Sequence, residues 1–337
     1  MTHALTRAPE HVWEGNALAH LIALHAVDSF APKHWTIDAG IAAVDRIRNE
    51  DGGVPFIAGQ EVFVTALTAV ALARAGADRS LLLRTAELLA ASQHPGGGWG
   101  YSASTRQTDA DDTARCMEAL QLIDPHRYRH QLAGGTRFLL TMAGPDGGFP
   151  THLPGHPSDV DMTAGAVIAL APGLPRHRVV IDAAADALVR AQQPDGTYRR
   201  SWTISVSSVI ERVVHALHAV GPFTAGDRRH RAVQRAIAAL TTTQNGDGGW
   251  GRRPGAASDV LSTAQSVPAL ARHGPRVAVH AAIDYLLGHQ HTDGSFTSPP
   301  DQVGPRPFPF DYPVLACVHA LNALTAVTPG KQTSASR

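Results

Sequence analysis

A glycine-rich turn recurs six times along this chain of 337 residues, and its spacing restricts the available folds more than any other feature. The copies are Asp51-Gly52-Gly53-Val54, Gly96-Gly97-Gly98-Trp99, Asp146-Gly147-Gly148-Phe149, Asp195-Gly196-Thr197-Tyr198, Asp247-Gly248-Gly249-Trp250 and Asp293-Gly294-Ser295-Phe296. Counted from the third residue of each, the intervals are 45, 50, 49, 52 and 46. A period near 50 with glycine punctuation marks a repeat architecture, in which each unit buries its apolar face only against its neighbours. Gln93, Gln192, Gln244 and Gln290 each stand six residues before the aromatic of their turn. Such a Gln can bond backbone groups of the next turn while the aromatic packs across the repeat boundary, a staple between helices.

Between the turns the apolar spacing is helical. One set of helices is expected before the turns, over 36–48, 80–92, 130–142, 177–191, 227–243 and 276–289. A second follows them, over 60–74, 109–122, 159–171, 202–219, 259–272 and 311–325. The second set is rich in Ala and Val with few charges, which suits an inner ring, whereas the first carries more Arg and His. The reading is an all-α protein: an (α/α)6 barrel of six inner and six outer helices joined by Gly-rich turns. Residues 1–30 are expected to form an N-terminal capping helix around Trp13–Val27. Residues 31–328 make a single barrel domain, and 329–337 a flexible tail.

Composition bounds the function. Hydrophobic residues make up 44% and charged ones 17%, enough apolar material for a large core. Lys+Arg and Asp+Glu both number 29, so there is no basic excess of the kind nucleic acid requires. Cys116 and Cys317 sit in apolar helical runs and read as buried thiols, in keeping with a reducing cytoplasm. No apolar leader and no uncharged 18-residue span is visible, so the expected location is cytoplasmic, with any membrane contact peripheral. The His residues are scattered and read mostly as surface groups.

The chemistry gathers at Asp109-Ala110-Asp111-Asp112-Thr113, at the head of an inner helical run through Ala114, Met117, Ala119 and Leu120. Three carboxyl groups crowded beside apolar surface cannot all ionise readily, so at least one is expected to keep its proton near neutrality. An acid held in a dry place is what the protonation of a carbon–carbon double bond requires. The plain alternative is a helix N-cap with acidic residues at the positive end of the helix dipole. When the inner helices are aligned, Glu61, Asp109, Asp159 and Asp259 share one position and Thr65, Thr113, Thr163 and Thr263 another. Phe63 and Asp161 then match Asp111, placing a further carboxyl beside the cluster. Asp159-Val160-Asp161-Met162-Thr163 repeats the motif with Met in place of its last Asp, so part of the pattern belongs to the repeat itself.

Together these residues resemble the class II terpenoid cyclases, the group containing squalene–hopene cyclase, over roughly Trp35 to Leu324. The Gln…Gly…Trp turns are similar to that family's repeated Gln–Trp motif, and residues 109–113 match its Asp-x-Asp-Asp signature. The resemblance implies that Asp111 donates the proton, with Asp109 and Asp112 adjusting it and Asp161 and Thr113 in support. It further implies Tyr101, Trp202, Phe308, Tyr312 and Phe63 as rings along the cavity, where aromatic faces stabilise carbocations without quenching them. Two departures stand out. Gly165 occupies the place where squalene–hopene cyclase has a His bonded to the acid, and the family's usual second helical domain is not seen, so the chain reads as a one-domain version.

The resemblance thus implies an enzyme that protonates the terminal alkene or epoxide of a linear isoprenoid, either a prenyl diphosphate or a prenylated aromatic, and drives cationic polycyclisation. No cofactor is needed for protonation, no metal site is expected, and magnesium enters only with a diphosphate substrate. Arg199, Arg200, Arg252, Arg253 and Arg306 lie on loops expected at the mouth, where a diphosphate could meet them. Protein prenyltransferase β-subunits share the barrel but need zinc, and Val314 falls where the His ligand would be. A class I synthase needs Asp-Asp-x-x-Asp, and here the last position is Arg115. A carbohydrate-active barrel hydrolase and a non-catalytic binding barrel stay as alternatives, the former disfavoured by an inner wall that reads as apolar.

Overall fold

The computed structural model describes residues 11–55, 59–224, 226–303 and 309–328. Two helices lead the chain, α1 (Ala17–Phe30) and α2 (Trp35–Asp45), followed by α3 (Glu61–Arg74) and α4 (Arg79–Ala91). Then come α5 (Ala110–Ile123), α6 (Arg129–Met142), α7 (Val160–Leu170), α8 (Leu174–Ala191), α9 (Val206–Ala219) and α10 (Arg228–Thr242). The last are α11 (Val260–His273), α12 (Arg276–Gly288) and α13 (Pro313–Val327).

The odd-numbered helices from α3 to α13 pack each on the next, and α13 packs back on α3, so six inner helices close a ring. Helices α4, α6, α8, α10 and α12 lie outside, each against inner helices on both sides of its turn. The sixth outer segment, α2, makes its main contact with α1, and the pair carries its own small cluster of Val12, Ala17, Ala43 and Val44. The main core fills the space between the two shells, where Trp99, Phe149, Met117, Leu120, Leu139 and Leu188 are fully or almost fully buried.

The turns hold the shells together as a staple. Gln93 Nε2 donates to the Gly97 carbonyl (2.7 Å) and to the Gln131 carbonyl of the next outer helix (2.8 Å). Gln192 and Gln244 repeat this on Gly196 and Ala232, and on Gly248 and Ala278. The second turn residue is glycine for two reasons. At Gly196 φ is +86°, and an added Cβ would lie 2.4 Å from the Arg235 carbonyl oxygen. Trp99 and Trp250 add their indole N–H groups to the Leu89 and Leu240 carbonyls.

The same repeat builds the helix starts. Asp109, Asp159 and Asp259 cap α5, α7 and α11 through backbone N–H groups of Asp112, Asp161 and Ser262 at 2.8, 3.1 and 2.7 Å. Four residues on, Thr113, Thr163 and Thr263 accept from the N–H of Trp99, Phe149 and Trp250 at 3.0, 2.9 and 2.9 Å. Helix α9 lacks such an Asp. Asp301, from the loop before α13, supplies the acceptor for Ile204 N (3.1 Å) and Ser205 N (2.6 Å). Residues 202–205, expected to be helical, therefore remain in the loop. The loop before α13 itself carries a two-residue antiparallel pairing of β1 (Gln302–Val303) with β2 (Pro309–Phe310).

Candidate functional site

The N-termini of the inner helices and the loops before them gather at one mouth. Each loop braces a neighbouring helix start: Ala110 N donates to the Thr151 carbonyl (2.9 Å), Val62 N to Tyr101 (3.1 Å) and Val206 N to Arg252 (3.1 Å).

Within the motif the three carboxyls have separate surroundings. Asp109, as N-cap, is buried, and burial raises its carboxyl to about 6. Asp112 is buried on the first turn of α5, and its side chain hydrogen-bonds that of Asp109. Burial, then the charge of Asp109, pushes it well above the ordinary carboxylate range. Asp111 keeps 22% of its side chain exposed, and Arg115 one turn on turns its Nε toward Asp111 Oδ1 at 3.4 Å. Asp161 on α7 is 8% exposed, and burial, then Asp159 and Asp111, raises it to about 8. Ser201 donates to Asp159 Oδ1 (2.7 Å) and, more weakly, toward Asp161 Oδ2 (3.5 Å). The mouth thus holds a partly open carboxyl among three buried ones that burial pushes above the ordinary carboxylate range, Asp161 furthest of those with a value, to about 8.

Of the rings, Phe63 is buried and Tyr101, Trp202 and Tyr312 are half-buried. Tyr312 lies by Tyr101 and Asp112, and its hydroxyl is pushed up by burial and then by those two neighbours. Trp202 donates its indole N–H to Thr151 Oγ1 (3.1 Å) and meets His152 edge-on at 5.6 Å. Phe308 and Arg306 lie outside the described residues. Thr113 touches Trp99 N and donates to the Asp109 carbonyl (2.6 Å), so its contacts fasten the turn under the motif. Arg199, Arg200 and Arg253 are exposed on the loops.

One expectation is corrected deeper in. The inner wall is not apolar: Glu118 on α5 is bound by Arg212 (2.9 Å) and Arg74 (2.7 Å), which hold its carboxyl far below the usual range against the effect of burial. A few His residues lie inside, beside the mostly superficial ones. His20 is fully buried on the Gly40 carbonyl (2.9 Å), and burial depresses His215 and His319 to about 4. Inner helices read as apolar because Ala and Val dominate by count, while the few charges converge on the barrel axis. Arg115 and Glu118 were detectable as the i+4 and i+7 positions from Asp111 on one helix face. Arg212 and Arg74 had no such signal. Gly165, the vacant His position, faces Arg212: a Cβ there would sit 3.2 Å from Nη2 and 3.3 Å from the Ala114 Cβ.

Among the described residues no cluster of three or more His, Cys, Asp or Glu is placed to hold a metal ion, and no helix is long and apolar enough to cross a membrane.

Comparison with known proteins places this geometry. The chain is 41% identical over 342 residues to a drimenyl diphosphate synthase of Streptantibioticus cattleyicolor, an alignment covering 95% of the chain and 63% of that relative. The chain therefore spans a little under two thirds of the curated relative's length. Among solved structures it is similar to ent-copalyl diphosphate synthase from Streptomyces platensis, with a TM-score of 0.69 and 23% identity over 86% of this chain and 55% of that one. It is also similar to type II terpene cyclase MstE from Scytonema, solved as a variant in complex with geranylgeranyl dihydroxybenzoate. There the TM-score is 0.65 at 20% identity, over 93% of this chain and 99% of that one. These likenesses carry the (α/α)6 fold. Residues 103–328, the motif included, match the squalene-hopene cyclase C-terminal domain, and the chain belongs to that family.

Proposed function

We propose that this chain is a class II terpenoid cyclase in which Asp111 protonates the terminal alkene of a linear isoprenoid. The observation that carries the reading is the arrangement of carboxyls: Asp111, partly open at the mouth, stands among Asp109, Asp112 and Asp161, all buried and all raised above the ordinary carboxylate range by that burial. In the proposed step the O–H bond of Asp111 breaks and a C–H bond forms at the terminal alkene carbon. Positive charge is left on the adjacent carbon, and Asp111 becomes a carboxylate. Further alkenes attack in turn, templated by the folded chain, and loss of a proton ends the cascade. Phe63, Tyr101, Trp202 and Tyr312 are the rings that stabilise the cation. Asp109 and Asp112, hydrogen-bonded side chain to side chain, adjoin the donor, Asp161 adds a fourth carboxyl, and Thr113 fixes the turn that carries them.

The substrate class favoured is a prenyl diphosphate, because the 41%-identical relative is a drimenyl diphosphate synthase. Drimenyl diphosphate is an isomer of farnesyl diphosphate, so protonation and deprotonation balance with no other reactant. A prenylated aromatic is the second candidate, on the likeness to MstE with its bound geranylgeranyl dihydroxybenzoate. Magnesium then serves only the diphosphate, and a cytoplasmic or membrane-peripheral location suits the substrate.

The test is incubation with farnesyl diphosphate, geranylgeranyl diphosphate and geranylgeranyl dihydroxybenzoate in deuterated water, followed by mass spectrometry. A cyclised isomer bearing one non-exchangeable deuteron is the expected product. Released diphosphate without deuterium points to ionisation chemistry and overturns the reading.

A further inference from the structure

Behind Asp111 lies a group of charges that the proposed reaction has not yet used. Arg212 on α9 is 3% exposed and reaches past α7 to α5, where its Nη1 bonds Glu118 Oε2 at 2.9 Å. It can do so because α7 has glycine at 165, where any Cβ would press on Nη2. Glu118 is also bound by Arg74, so two guanidinium groups share one carboxylate. The Nε and Nη2 of Arg212 are buried and make no hydrogen bond to the described residues. The charge on Asp111 is among those that stabilise the Arg212 cation.

The charges around this pair are uneven in sign. On α5, Arg115 faces Asp111, while burial raises the carboxyls of Asp109 and Asp112, as it does that of Asp161 on α7. On α9, burial raises Glu211 and depresses His215; on α13, His319 is depressed likewise; Arg272 of α11 lies by His215. Arg74, Arg115 and Arg212 therefore converge around Glu118, whose carboxyl is held far below the usual range, and outnumber it. A buried cationic surplus favours a nearby carboxylate over its acid form.

Resting on the reading of Asp111 as the acid, we propose that Arg212, admitted by Gly165 and held by Glu118, is a positioning residue that sets the acid strength of Asp111. It stabilises the carboxylate that Asp111 becomes when the proton leaves. The surplus charge thus takes over a task that an imidazole at position 165 would perform, and it does so with a group that stays charged at every working pH.

The experiment compares full-length wild type, Arg212→Gln, Arg212→Lys and Gly165→Ala. One readout is kcat and KM for farnesyl diphosphate against pH. The other is difference infrared spectroscopy of the carboxyl band that disappears in Asp111→Asn, which needs no substrate. Arg212→Gln is expected to lower kcat about tenfold or more, leave KM within about twofold, and move the alkaline limb and the infrared midpoint up by about one pH unit. Arg212→Lys, which keeps the charge, restores the limb. Gly165→Ala, which crowds the guanidinium while leaving it in the chain, lowers kcat and moves the band the same way. A folded Arg212→Gln with wild-type kcat and an unmoved band overturns the proposal. Should that variant not fold, Gly165→Ala decides it by the same criterion. If wild type cyclises nothing, the functional reading fails, while the infrared band still reports whether Arg212 acts on Asp111.

Discussion

Arg212 on α9 and Glu118 on α5 meet at 2.9 Å across the width of an intervening helix, and Gly165 of that helix leaves the opening. With Arg74 on its other oxygen, Glu118 ties α3, α5 and α9 together below the mouth. Removing the shared carboxylate strands buried cations, so Glu118→Ala is expected to destabilise by about 3–5 kcal/mol. Denaturant unfolding of the variant against wild type measures this. A loss below about 1 kcal/mol would sink the claim that the bridge organises the barrel. Because folding depresses this carboxyl, its contribution is present above the unfolded value near 4 and is lost as the pH falls below it.

Asp161 produces the opposite dependence. Its carboxyl rises from the ordinary range to about 8 on folding, so the folded chain binds more protons than the unfolded one between about pH 4 and 8. Stability from this group is present at the acid end of that window and falls as the pH rises through it, by up to about 1.4 kcal/mol per unit. Asp109, raised to about 6, adds the same sign over a narrower window. Asp161→Asn mimics the protonated acid and should flatten the fall in Tm between pH 6 and 8. An Asn variant with the wild-type slope would show that Asp161 is already ionised there.

For the turns, Gly196 and Gly52 provide a matched pair. Both have φ near +85°, but a Cβ at Gly196 would lie 2.4 Å from the Arg235 carbonyl oxygen, whereas at Gly52 nothing lies within 4 Å. Gly52→Ala should cost about 1 kcal/mol from backbone strain alone. Gly196→Ala should cost clearly more, about 2–4 kcal/mol, because the turn and the middle of α10 at Arg235 must part. Equal losses in thermal unfolding would mean that the close approach contributes nothing.

At the acid itself, Asp111→Asn keeps shape and removes the proton. Turnover of farnesyl diphosphate is expected to drop by at least about 10³-fold, with the far-ultraviolet circular dichroism and Tm near wild type. Activity within tenfold of wild type would exclude Asp111 as donor and point to Asp161, whose carboxyl is raised to about 8.

The sequence was informative where a rule repeats. Helix existence and order followed from the 50-residue period. The Asp and Thr of successive inner helices followed from alignment of the repeats, and an N-cap at the Asp109 motif was the plain alternative to its chemistry. The reading failed where a residue acts outside the repeat. Asp301 holds the backbone entering α9 from almost a hundred residues away, and no local pattern announces it. The inner wall read as apolar because a helix with one Arg in fourteen residues still scores as apolar.

What the chain determined by itself is the (α/α)6 frame and the acidic motif at a helix start, since periodicity, turn chemistry and capping are local and act wherever they are repeated. Only the tertiary structure decided which carboxyls keep their protons and which cations stand behind Asp111. Burial and charge depend on distances between helices that the sequence separates by one or two whole repeats. Arg212 and Glu118 are 94 residues apart, and they become partners only because the ring closes with a glycine between them.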